Sequence, residues 1–469
     1  MTQSLNSTFI PGPTYAEMLY PAMLPAALRE KAVAAAQGDE LDPANLFNIT
    51  WRGPDHGIRH VLLPKELTGV KANIVVMVGR FFPSGSHKVG AAYSMLMEGE
   101  LAGEIAPGEN TTIGPSTGNF GIGVAYVSRL KGYPAIVIMP EGMSVERYER
   151  IRHYGGQLDL TPGSESDVIL VLERTLEYRR DPRNKVLAQF ELLPNYRFHR
   201  YVTGRSALEA AKPYGNGRVA VFASAPGSAG TLAAGDEIKS AYPECLVAAL
   251  EPRECSTLFN HGFGSHRIEG IGDKMVTLIH NILTTDYVVL IHDEDCVMGL
   301  ELLERRQHGI EPFLGLPAGS LQCYQGLFGV SGICNILGAI RVARFLDLGP
   351  DDNVVTIATD GFDRYPSVLA DFEGRRRPLH VSELGARIDE VFRGGGAEDI
   401  LDVRPREQKQ RLFGYKEEVW TNFGYSQPYL ESMKSQSFWD EEFGKIAEID
   451  AKLLKQRGTG LGTRGNGLV

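Results

Sequence analysis

Lys88 is the residue with the clearest claim to chemistry. It closes the turn Pro83-Ser84-Gly85-Ser86-His87, which follows the apolar run IVVMV at 74–78. An amine that must attack a carbonyl has to be unprotonated, and burial or a neighbouring cation lowers its pKa enough for that. A lysine at a helix start can equally be a solvated surface residue. Three other stretches bear on the choice: GPSTGNFGIG at 114–123, ASAPGSAGTL at 223–232 and GVSGICN at 329–335. In each, glycine lets backbone approach a ligand closely, and Ser, Thr or Asn supplies hydrogen-bonding groups.

The elements that position these groups follow from periodicity. IVVMV is β-branched enough for a buried strand, and GAAYSMLMEGELAG at 90–103 has the spacing of a helix packed on a sheet. Lys88 then sits at a strand-to-helix turn, the mouth of a parallel sheet, where ligands bind. APGSAGT at 225–231 also opens a helix after a strand, so its N–H groups converge either on an anion or on nothing more than the connection. Between 89 and 200, and again from 205 to about 360, strands and helices alternate with short Gly/Pro turns. That pattern predicts two α/β lobes, each an open, twisted, mostly parallel sheet flanked by helices, with a cleft between them. The expected division is 1–89, an N-terminal extension and the first part of the large domain; 90–204, a small α/β domain; 205–370, the large domain; and 371–469, a C-terminal extension. The extension and the stretch 311–328 could act as lids, and the Gly-rich run 457–469 is expected to be flexible.

Composition narrows the partners. The chain has 469 residues, 43% of them hydrophobic and 23% charged, with a formal net charge of −10. No excess of cations is available to neutralise phosphates, which argues against nucleic acid as a partner; the densest basic run, EGRRRP at 373–378, reads as a solvated loop. Five scattered cysteines with no ligand spacing predict a reducing compartment and no metal site. The start, MTQSLNSTFIPGP, lacks a leader pattern and no window has the length of a membrane span, so the expectation is a cytoplasmic protein with no membrane partner.

A buried lysine, a phosphate cradle and an Asn-bearing loop together fit pyridoxal 5'-phosphate. From roughly 70 to 370 the chain resembles the cysteine synthase (O-acetylserine sulfhydrylase) branch of the fold type II pyridoxal phosphate enzymes, the tryptophan synthase β superfamily. The resemblance rests on FFPSGSHK, PSTGNFG, LAQFELLPN with HRYVTG, GSAGTLAAG, HRIEGIG, GVSGICN and DGFDRYPS, in that order. It implies that Lys88 carries the cofactor covalently and later takes the substrate's α-proton. It implies that Asn119 binds the cofactor's 3′-oxygen and that Gly227, Ser228, Ala229, Gly230 and Thr231 hold the phosphate. Ser116, Thr117, Gly118 and Gln189 would take the substrate carboxylate, and Gly270 would line the mouth. Ser331 would offer a hydroxyl to the ring nitrogen, or serve as a helix N-cap. His87 departs from the cysteine synthase pattern and either touches the phosphate or caps the turn. Phe120 replaces a small hydroxyl residue and alters the substrate pocket.

The activity this implies is β-elimination or β-replacement on a β-substituted amino acid such as O-acetylserine, serine or cysteine, through an aminoacrylate intermediate. An ammonia lyase or desulfhydrase acting on a non-standard amino acid is the alternative, followed by a scaffold that binds the cofactor without turnover. An isomerase using Lys88 as an ordinary acid or base would need no pyridoxal phosphate. The resemblance further implies a homodimer acting on a small amino acid.

Overall fold

The structure, a computed structural model, describes residues 10–262, 264–377 and 379–461. Two sheets organise it. The larger has seven strands in the order β1-β2-β10-β7-β8-β9-β11. These are β1 (His60–Leu62), β2 (Asn73–Val78), β7 (Val219–Ser224), β8 (Leu246–Pro252), β9 (Tyr287–Ile291), β10 (Asn353–Ala358) and β11 (Ile400–Asp402). The five inner strands run parallel, while β1 and β11 close the edges antiparallel. The smaller sheet, order β5-β4-β3-β6, is wholly parallel and comprises β3 (Thr111–Pro115), β4 (Ala135–Pro140), β5 (Gln157–Thr161) and β6 (Asn184–Val186). Every residue of β2 and β10 is buried, as strands covered on both faces by helices must be.

The large sheet is discontinuous in sequence: β2 pairs in register with β10, Asn73 opposite Asn353 through Val78 opposite Ala358. The strand before Lys88 is thereby fixed beside a strand formed some 280 residues later. The lysine helix, Lys88–Leu101, starts where the turn ends, and the Lys88 N–H donates to Ser86 Oγ at 3.3 Å. Its first turn packs tightly on the helix Leu193–Phe198. A Cβ on Gly90 would lie 2.1 Å from the Phe198 ring, so only glycine permits this approach.

The region after 370 is not wholly helical, because β11 adds an edge strand to the large sheet. Beyond it, the helix Arg406–Asn422 grips residues 276–285 through their carbonyls. Lys416 Nζ donates to Leu278 O at 3.0 Å and His280 O at 2.6 Å, Lys409 Nζ to Ile282 O at 2.6 Å, and Trp420 Nε1 to Val276 O at 2.8 Å. The helix Ile446–Leu461 folds back on the other extension, Arg457 pairing with Glu17 at 2.6 Å and Asp450 accepting from the Tyr15 N–H at 2.8 Å. Residues 457–461 of the Gly-rich run therefore continue a helix, while 462–469, and residues 1–9 at the other end, lie outside the described residues. The stretch 311–328 packs at the β1 edge, where Tyr324 Oη donates to Leu62 O at 2.7 Å.

Candidate active site

The C-terminal ends of β2, β3, β6, β7 and β10 face one cleft. A cavity there is lined by His87, Lys88, Phe120, Gln189, the run 227–231 and Gly270, together with Ala91, Asn195, His199, Ala225, Ile271 and Thr359. Neither the C-terminal extension nor 311–328 contributes to this lining.

Lys88 Nζ donates to the Gly270 carbonyl at 3.3 Å. Its pKa lies below the usual lysine value, chiefly through burial and with help from the Arg147 cation, although Asp273, Glu165 and Asp360 pull it back up. Opposite stands the run 227–231. Ala229 holds φ +65, the left-handed conformation that turns successive N–H groups to one side, and the helix Ala233–Ala241 follows. Asn335, on the helix Val330–Phe345, anchors the start of this run: its Oδ1 accepts from the Ala225 N–H at 2.7 Å and its Nδ2 donates to Ile357 O at 2.6 Å. Asn195 donates to Ser228 Oγ at 2.9 Å. His199 begins a single π-helical turn, His199–Thr203, a distortion that often marks functional positions. Its Nδ1 meets Thr203 Oγ1 at 2.9 Å, the same hydroxyl that accepts from Trp51 Nε1.

Two buried imidazoles flank the cradle. His87 packs edge-on to His199, ring centroids 5.1 Å apart, and burial holds it well below its ordinary pKa, with His199 and Lys88 adding to the shift. Burial, then Lys88, lowers His199 to about 3. Neither His87 nitrogen has a hydrogen-bond partner, and its side chain does not cap the helix although the residue occupies the N-cap position.

The asparagine loop is arranged differently from the cradle. Ser116 Oγ accepts from the Gly118 and Gly121 N–H groups at 2.9 and 2.8 Å, which ties down the start of the helix Asn119–Lys131. Asn119 Nδ2 donates across the cleft to Asp360 Oδ2 at 2.6 Å, and Tyr365 Oη donates to the same oxygen at 2.9 Å. Ser116, Thr117, Gly118 and Asn119 are buried and directly precede Phe120 of the lining, without being among the lining residues themselves. Gln189 lines the cavity and donates from Nε2 to Pro115 O at 3.3 Å. Ser331 is buried in the second position of its helix, whose N-cap is Gly329, so it is not the cap; nor is it among the residues that line the cavity. The hydroxyl that does reach the lining is Thr359, directly after β10.

The residues present fit pyridoxal phosphate. The unpartnered His87 nitrogens and the unpartnered Asn119 Oδ1, Gln189 Oε1 and Asn195 Oδ1 are buried polar atoms of a kind that requires a partner. The cradle is packed closely enough to require glycine: a Cβ on Gly230 would sit 2.4 Å from Asn195 Oδ1. Lys88 would hold the aldehyde end, and the 227–231 backbone would take the phosphate.

Asn195, His199, Thr359, Arg147, Glu165 and Asp273 were not singled out from the sequence. Thr359 carried a signal, since the residue after a buried parallel strand faces the ligand side of the sheet. Asn195 and His199 stand four apart after LAQFELL, on one helix face. The acidic pair carried none.

The chain is 30% identical over 301 residues to a probable cysteine synthase of Bacillus subtilis (strain 168), covering 63% of this chain and 89% of that one. To a cysteine synthase of Staphylococcus aureus (strain Mu50 / ATCC 700699) it is 30% identical over 297 residues, 63% of this chain and 88% of the relative. The solved structure of an O-ureido-L-serine synthase superposes with a TM-score of 0.55 at 26% identity, over 69% of this chain and 95% of that one. Residues 61–316 match the family described as pyridoxal-phosphate dependent enzyme, a span that holds both Lys88 and the cradle facing it, and the chain belongs to that family.

Proposed function

We propose that this enzyme catalyses β-elimination or β-replacement on a small amino acid with a leaving group at Cβ, of the O-acetylserine, serine or cysteine kind. The observation that carries the reading is Lys88, its pKa lowered by burial, beside the N–H cradle 227–231 in one cleft. The similarity to the two cysteine synthases supports it. Pyridoxal phosphate, when bound, supplies the electron sink that makes the α-proton removable and lets the Cβ substituent leave.

This chain's residues supply the rest. Gln189, which lines the cavity, would bind the substrate carboxylate together with the adjoining 116–119 loop, and Lys88 Nζ, whose pKa burial lowers, would take the proton from Cα. His87 and His199, whose pKa values burial lowers, would donate hydrogen bonds to the phosphate. Phe120 in the cavity wall narrows the space for water. Ser331, one helical turn from Asn335, orients the ring-nitrogen side. The mapping of residues 1–89 and 205–370 to a large lobe and 90–204 to a small one follows the two sheets and belongs to the same proposal. So do a homodimeric state and residence in the cytoplasm, the latter supported by five cysteines that are all free thiols.

The test is Lys88→Ala. The variant should fold, bind the cofactor non-covalently and lose turnover of O-acetylserine by a factor of about 100 or more, the scale of a lost general base. Turnover near that of the parent enzyme would refute the assignment.

A further inference from the structure

The basic run at 373–378 is solvated only in part. Arg375 and Arg377 are exposed, but Arg376 folds back over the buried Phe372, its Cζ 4.5 Å from the ring centroid. Arg376 and Arg377 line a cavity of about 400 Å³, within the range of small-molecule sites, and it shares no residue with the Lys88 cleft. Arg306, between the helices Asp293–Arg305 and Gln307–Leu314, and Arg387, on the helix Leu384–Arg393, line it from two further elements. Met298, Phe372 and Leu379 add an apolar strip to the wall.

Arginine carries five N–H donors, and three of these residues spend few of them. Among the described residues Arg306 donates only through Nε, to Glu301 Oε1 at 3.3 Å, and Arg376 only through Nη2, to Glu294 Oε2 at 2.6 Å. Arg387 donates only through Nη1, to Glu390. All three guanidinium groups are half-buried, where a single ion pair contributes little and an anion that meets several of them at once competes well. Of the two acids in the lining, Glu373 is taken by Arg305 from outside it. Glu301 is the other. It is 4% exposed, and among the described residues its second carboxylate oxygen accepts from nothing. The wall therefore combines many donors for an anion, one buried acceptor for a hydroxyl and an apolar strip.

We propose that this cavity binds a nucleoside di- or triphosphate, with Arg306, Arg376 and Arg387 on the phosphates, Glu301 accepting from the ribose hydroxyls and the apolar strip against the base. The guanidinium fork matches phosphate oxygens two at a time. A ribose hydroxyl gives the buried Glu301 carboxylate the second partner it lacks. An inorganic polyphosphate meets the arginines but is repelled by Glu301, and a nucleoside without phosphates leaves the guanidinium groups unused. The site stands apart from the reaction assigned to Lys88 and does not depend on it.

The test is calorimetric titration of the cofactor-loaded enzyme, whose own phosphate cradle is then occupied, with ATP, tripolyphosphate and adenosine in the absence of magnesium. ATP should bind, tripolyphosphate about tenfold more weakly or worse, and adenosine not measurably. Arg306→Gln and Arg376→Gln should each weaken ATP by about tenfold, the scale of a charge-assisted hydrogen bond. Arg375→Gln, an exposed neighbour outside the lining, should leave it unchanged. Glu301→Gln should bring ATP and tripolyphosphate to nearly equal affinity, with the melting temperature of each variant reporting that it is folded. Failure of ATP to bind the loaded enzyme, or binding that neither arginine substitution weakens, overturns the proposal. So does ATP that binds only the cofactor-free protein, because that binding belongs to the cradle. Tripolyphosphate that binds the parent enzyme as tightly as ATP also overturns it, since the cavity would then be a basic patch that recognises charge alone.

Discussion

Gly227→Ala tests whether the cradle is built as closely as its geometry requires. A Cβ at this position would lie 2.5 Å from the Gly270 carbonyl oxygen and 3.2 Å from Lys88 Nζ. The first contact is about 0.9 Å shorter than the 3.4 Å at which ordinary contact begins, and it is with backbone, so the cradle or the 268–272 loop must move. Overpacking of this kind costs about 1–3 kcal/mol. The backbone at Gly227 has no positive φ, so the whole effect is steric. Because Gly270 O also accepts from Lys88 Nζ, the displacement separates the two groups that would hold opposite ends of the cofactor. The expected loss of cofactor affinity is about 10- to 100-fold, or roughly 1.4–2.8 kcal/mol. The assay is titration of the cofactor-free protein followed by absorbance, alongside thermal unfolding with and without cofactor. Gly374→Ala, whose Cβ meets nothing within 4 Å, is the control. A Gly227→Ala protein that unfolds and binds cofactor like the parent would refute the placement of the cradle.

Two further predictions concern pH. Asp273 is raised in the folded state to about 7 from 3.8, so its stabilising contribution is full below pH 3.8 and is lost as pH rises through about 7. In the cofactor-free protein, Asp273→Asn should therefore gain melting temperature relative to the parent between pH 5 and pH 8; a difference that does not change across that range would refute the burial argument. Lys416 is lowered to about 7 from 10.5 by burial, so its charge is a cost up to about pH 7 that is relieved as pH rises toward 10.5. Lys416→Met should lose stability relative to the parent more at pH 9 than at pH 6.5. It should also speed proteolysis within 276–285, whose carbonyls Lys416 holds; unchanged cleavage would show that the C-terminal helix does not brace that loop.

What the sequence determined by itself was local: the buried run before Lys88, the helix after it, the Gly-rich run after β7 and the alternation that specifies parallel sheets. Each of these is written in neighbouring residues, through side-chain periodicity and the backbone freedom of glycine. Pairing at a distance came from the fold alone. Asn119 reaches Asp360, 241 residues further on, only because the helix start that carries it and the loop after β10 meet in the fold. Thr359 rather than Ser331 lines the cavity because β10 inserts between β2 and β7, an order that no local pattern states. Glu165 reads as one more acidic loop residue; its burial beside Thr117 and Gly270 arises because the small lobe closes on the large one. Burial and electrostatics depend on the whole surroundings of an atom, so the groups whose chemistry is set by desolvation were the ones hidden from the sequence.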